Sequence, residues 1–126
     1  MKTQDEKTIQ EGQEALAALK AIRGNVFGMH NRIANDPRLL RAFTDIYSCA
    51  NTEAKAIPEK YRELIIMAIA AAKNIKPTLE VHSKKAIAAG ATVEEMGELM
   101  RILLLTCGVT SIIPASEVFE EILEAE

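Results

Sequence analysis

Apolar and polar positions recur at helical spacing along the whole of this 126-residue chain, and every segment reads as helix. The first helix runs from about Glu6 to Ile22, with apolar Ile9, Leu16 and Leu19, and stops near Gly24. "GNVFGMHN" follows as a glycine-bearing turn. In "NDPRLLRAFTDIYSCA", Asp36 is an N-cap and Pro37 takes the first helical position; Leu40, Phe43, Ile46 and Tyr47 then mark one face. A third helix begins at Pro58, is polar for one turn, and is apolar all round from Leu64 to Ala72. Such a helix is expected to be buried on every face, either at the centre of a bundle or clamped between subunits.

After the turn "NIKP", a fourth helix extends from about Thr78 to Ala89 and ends at Gly90, a left-handed cap. Thr92 and Glu95 form a capping box that opens a fifth helix reaching about Cys107. A sixth spans about Pro114 to Glu124. The expectation is an all-α bundle of about six helices in a single domain, residues 1–126.

Composition narrows the function classes. The chain is 48% hydrophobic and 26% charged, ordinary for a globular protein, and only 4% aromatic, so alanine, leucine and isoleucine must carry the packing. A formal charge of −3 and an acidic tail from Glu117 onward provide no basic footprint for nucleic acid. The N-terminus has no apolar signal core, and the longest apolar run, Leu64 to Ala72, is far below the ~20 residues of a membrane span. A cytoplasmic protein with no membrane or nucleic-acid partner is expected. Cys49 and Cys107 are far apart, and with two histidines no zinc-ligand spacing exists.

The candidate chemistry centres on His82. In "LEVHSKKAIAAGATVEE", Leu79, His82, Ala86 and Ala89 form one stripe, so the imidazole faces inward, while Glu80, Lys84 and Lys85 fall elsewhere. A buried imidazole needs hydrogen-bond partners. It is either a core histidine bonded to a backbone carbonyl or a proton-transfer group oriented by an acid. Glu63 is the best acid, placed where the polar turn of the third helix gives way to the apolar run; the alternative is a surface glutamate favoured by the helix dipole. In an antiparallel hairpin Glu63 lies about 7 Å lower along the axis than His82, so a tilted crossing, a water or a long side chain must close the gap. Cys107, on the stripe Val93, Met96, Met100 and Leu103, reads as core rather than nucleophile, and Cys49 likewise. His30 reads as a solvated turn residue. Arg62, Lys84 and Lys85 are surface charges that could attract a carboxylate. Dinucleotide, P-loop and nucleophile-elbow motifs are absent.

"KYRELIIMAIAAA" followed by "EVHSKKAIAAGATVEEMGEL" resembles the carboxymuconolactone decarboxylase family, including its alkylhydroperoxidase D-like branch. The shared features are a basic-Glu-Leu-Ile start to an apolar helix, a histidine nineteen residues after the glutamate, and the Gly-Ala-Thr-x-Glu-Glu turn. "AFTDIYSCA" extends the likeness toward the N-terminus. The resemblance implies an all-helical fold that assembles into oligomers, often trimers or hexamers. In the peroxidase branch a Cys-x-x-Cys pair precedes the histidine, and those positions fall here on Ile75 and Thr78, which cannot replace thiols.

The decarboxylase branch needs no cysteine pair. It implies cofactor-free, lyase-type acid–base chemistry on a small carboxylated lactone: His82 as general acid, Glu63 orienting it, and Arg62 or a lysine holding the carboxylate. A peroxidase-like activity through Cys107 and a non-enzymatic oligomeric ligand binder are the alternatives.

Overall fold

A computed structural model describes residues 5–124. Every element among them is helical. The chain divides into two compact units, Met1–Ala54 and Lys55–Glu126.

The first unit contains α1 (Glu6–Arg23), α2 (Gly28–Ile33) and α3 (Pro37–Tyr47), the last continued by a π-helical turn, Ser48–Thr52. Asp5 caps α1 by accepting the Thr8 N–H, and Gly24 ends it with a φ of 89°. Asp36 caps α3 by accepting the Leu39 N–H, with Pro37 at the first helical position as the spacing predicts. Ala15, Leu19 and Leu40 form the core, with Leu16, Val26, Ile33, Ala34 and Phe43 packed on it. Gly12 permits this approach, because a Cβ there would lie 2.4 Å from the Ala34 carbonyl oxygen. The segment expected as a turn contains α2, and His30, expected in solvent, is buried there. Six residues give too little periodicity to read as a helix, and α2 depends on burying the His30 ring, with Ile33 half-buried beside the core.

The second unit contains α4 (Glu59–Ala72), α5 (Lys76–Ala88), α6 (Val93–Cys107) and α7 (Val109–Glu124). α4 and α5 pack as a hairpin, α6 and α7 as another, and α4 also meets both α6 and α7. The first hairpin turns on Asn74 (φ 55°): its N–H donates to the Ala71 carbonyl, and the Ile75 N–H to the Ala70 carbonyl. Asparagine is one of few side chains that tolerate this left-handed position. Gly90 repeats the arrangement after α5, and the Thr92–Glu95 capping box opens α6. The core is Met67, Ala70, Ala71, Leu79, Ala86, Met96, Leu103, Ala115 and Val118.

Three expectations change. α7 starts at Val109, five residues before Pro114, which lies inside the helix. Ser111 explains the early start, donating from its side chain to the carbonyls of Gly108 and Leu103 and so tying the new helix to the end of α6. The N–H that Pro114 lacks would have served only Thr110, whose exposed carbonyl is in the first turn. Within one chain α4 is not the fully buried centre of a bundle, since Ile65 is 47% and Ile69 52% exposed; of the two expected arrangements, the clamp between subunits stays open. Cys49 and Cys107, expected in the core, are both exposed thiols; Cys107 ends the helix, one turn beyond the buried Leu103.

Candidate active site

Glu63 is the fifth residue of α4. It shares a face with Met67, Ala70 and Ala71, at i, i+4, i+7 and i+8, and is therefore carried into the core with them. On α5 the buried face is Leu79, His82, Ser83 and Ala86. The two faces meet, and His82 Nδ1 lies 2.5 Å from Glu63 Oε2. The axial offset between the two positions is closed without an intervening group. The linear count treats the helix axes as parallel and ignores the reach of a glutamate side chain, the two quantities the tertiary packing sets.

Burial makes this contact consequential. Glu63 is 1% exposed and His82 8%, so a carboxylate removed from water finds its compensation in the imidazole. With the carboxylate as acceptor, Nδ1–H of His82 donates. That hydrogen bond fixes the ring orientation and leaves Nε2 as the atom available for chemistry. No other hydrogen bond to the His82 ring occurs among the described residues, and its side chain is the more open member of the pair. Ser83, which the stripe analysis omitted, is buried beside it and satisfied by donating to the Leu79 carbonyl at 2.6 Å.

Arg62 is half-buried on the turn before Glu63, and its Nη1 donates to the Ile57 carbonyl at 3.3 Å. Lys84 is exposed and Lys85 half-buried. Neither cysteine hydrogen-bonds to His82; Cys107 Sγ is 3.5 Å from the hydroxyl of its neighbour Thr106. Among the described residues no group of three or more His, Cys, Asp or Glu side chains is placed to hold a metal ion.

A supporting contact was not foreseen. Lys60 Nζ donates to Glu95 Oε1 at 2.8 Å, joining the first turn of α4 to the first turn of α6 three residues before Glu63. Glu95 also accepts the Thr92 N–H through its other oxygen, so one carboxylate caps α6 and anchors α4. The bond to Lys60 holds the Glu95 carboxyl below its ordinary range and raises the Lys60 ammonium above its own. Sequence revealed the capping box, which is local, and not the lysine 35 residues away.

A family model, carboxymuconolactone decarboxylase, matches residues 37–121. The chain belongs to this family. The match takes in both Glu63 and His82. A crystal structure from Burkholderia xenovorans LB400, of a presumed carboxymuconolactone decarboxylase, is similar with a TM-score of 0.75 over 94% of this chain and 95% of that one. At 17% identity that likeness establishes a shared fold. No curated protein matches. No helix among the described residues is long and apolar enough to cross a membrane.

Proposed function

We propose that this family member is a cofactor-free acid–base catalyst of the lyase type, acting on a small carboxylated lactone or a related compound. The observation that carries the reading is the buried Glu63–His82 hydrogen bond, which leaves Nε2 as the one ring atom free to exchange a proton with a substrate. When a lactone carboxylate leaves as carbon dioxide, the electron pair of the broken carbon–carbon bond stays behind and must be protonated at carbon. In this reading His82 delivers that proton from Nε2. Glu63 balances the positive charge of the imidazolium before delivery and keeps the ring aligned. Arg62 receives the substrate carboxylate, with its guanidinium shared between substrate and the Ile57 carbonyl.

The test is lactone decarboxylation by wild type and His82→Ala. A fall of about 10²- to 10⁴-fold is expected for loss of a general acid; equal turnover by the two proteins would remove His82 from the chemistry.

Self-association, in the trimers or hexamers the family resemblance implies, is proposed alongside. Its support is apolar surface that one chain leaves open: Ile65 and Ile69 on α4, Ile102 and Leu105 on α6, Val109 and Ile113 on α7. Light scattering on wild type and on Ile65→Lys/Ile69→Lys tests it. An assembly that the double variant breaks is expected, and a wild type of single-chain mass would sink the idea.

A further inference from the structure

The first unit holds a second buried imidazole. His30 is 2% exposed. It is the third residue of α2, and its Nδ1 accepts the Phe27 N–H at 2.9 Å. The side chain thus reaches back to the helix start as the glutamate of a capping box does, satisfying a backbone donor with no partner inside the helix. This role fixes the tautomer: Nδ1 offers its lone pair and Nε2 carries the hydrogen.

The ring is also a packing element. Its centroid is 5.9 Å from that of Phe27 and 5.1 Å from that of Phe43, which stacks on Tyr47 at 6.4 Å. The Arg23 guanidinium lies over Phe27 at 4.6 Å and over Tyr47 at 5.6 Å, with its Nη1 donating to the Asn25 side-chain oxygen at 3.1 Å. One imidazole therefore caps a six-residue helix and joins it to α3.

We propose that His30 is an acid-sensitive latch: a proton on Nδ1 turns the acceptor of the Phe27 N–H into a second donor, breaks the cap and releases α2 from α3. The two donors would then face each other with no acceptor between them. An imidazolium would also stand in an apolar pocket beside Arg23, which adds charge repulsion to desolvation.

The groups around the ring allow no easy rescue. From α1 the charged neighbour is Arg23; from α3 the titratable group is the Tyr47 phenol, behind Phe43, while Arg38, Arg41 and Asp45 occupy exposed positions of that helix. Arg32, on α2 itself, is exposed as well. No carboxylate pairs with His30 among the described residues. Burial first, and the Arg23 charge second, hold its proton affinity below the ordinary histidine value of 6.5.

The released state has the higher proton affinity, so protons favour release. The latch is fully closed above about pH 6.5 and loosens as pH falls from there toward the lower value of the closed state.

The experiment is ¹H–¹⁵N NMR on the full chain, titrated from about pH 8 to about pH 5. The ring nitrogens of His30 are expected to report the Nε2–H tautomer and to titrate below the ordinary histidine value. The protection of the Phe27 amide, corrected for intrinsic exchange, is expected to fall about tenfold per pH unit below about 6.5, until the closed-state value is reached. His30→Asn, which keeps a short acceptor that cannot take up a proton, should flatten this dependence, and Arg23→Met should raise the His30 titration point. A His30 that titrates at or above the ordinary value, or Phe27 protection that is constant over the interval, overturns the latch. So does an acid loss of protection that persists in His30→Asn. Should that variant fail to fold, the wild-type titration and Arg23→Met decide.

Discussion

Glu63 and His82, nineteen residues apart on two helices, meet in the interior of the second unit through one hydrogen bond of 2.5 Å. Each accounts for the other's burial. An isolated carboxylate or imidazolium at that depth would be expelled or neutralised, whereas the pair compensates both at once.

Glu63→Gln keeps the shape of the side chain and removes its charge. A glutamine can still accept from Nδ1–H, so the fold should survive, but the imidazolium loses its counter-charge. Turnover on a carboxylated lactone is expected to fall about tenfold or more with little change in KM, since the loss concerns proton transfer and not substrate binding. Glu63→Ala strands the histidine beside a cavity and should cost about 3 kcal/mol of stability, measured by urea denaturation. Should both variants keep full activity and full stability, the pair is neither catalytic nor structural.

Cys107 is exposed at the end of α6 and does not bond to His82. Cys107→Ser and Cys49→Ser should leave lactone turnover at the wild-type level. Peroxide turnover that is present in wild type and disappears in Cys107→Ser would redirect the reading toward thiol chemistry.

The Lys60–Glu95 bond gives a pH-dependent link between α4 and α6. Because Lys60 lowers the Glu95 carboxyl from its reference of 4.5, the unfolded chain binds the proton more readily than the folded one. The contribution is therefore complete above about pH 4.5 and is lost as pH falls through the lower folded value. The melting-temperature gap between wild type and Lys60→Met should be constant at neutral pH and should narrow in acid. Glu95→Ala should be the more damaging change, since it also uncaps Thr92.

Gly12 faces the Ala34 carbonyl oxygen so closely that any β-carbon would overlap it. Gly12→Ala is expected to destabilise the first unit by about 1–3 kcal/mol as α1 is pushed away, despite alanine's better helix propensity. A variant as stable as wild type in thermal unfolding would show that the backbone gives way freely there.

Most of the helices were legible from local chemistry. Asp36–Pro37, Thr92–Glu95, Gly24 and Gly90 mark helix ends through bonds spanning three to five residues, and periodicity fills the space between. The errors arose where a distant group determined the outcome. Pro114 looks like a helix start until Ser111 is seen tied to the α6 carbonyls. "GNVFGMHN" looks like a turn until His30 is seen buried against Phe43.

The candidate site divides the same way. Sequence alone put His82 on the inward face of its helix, because side-chain direction on a helix follows from position. It picked Glu63 as the best acid while leaving open a surface glutamate; the burial of Glu63 came from the packing. Sequence also settled that Ile75 and Thr78 supply no thiol. Whether the two side chains touch depends on how the helices cross and how far a glutamate reaches, and neither quantity is written in a one-dimensional pattern. Tertiary packing decided that contact, as it decided the burial of His30 and the exposure of Ile65 and Ile69, since burial belongs to what the chain folds against and not to the residue itself.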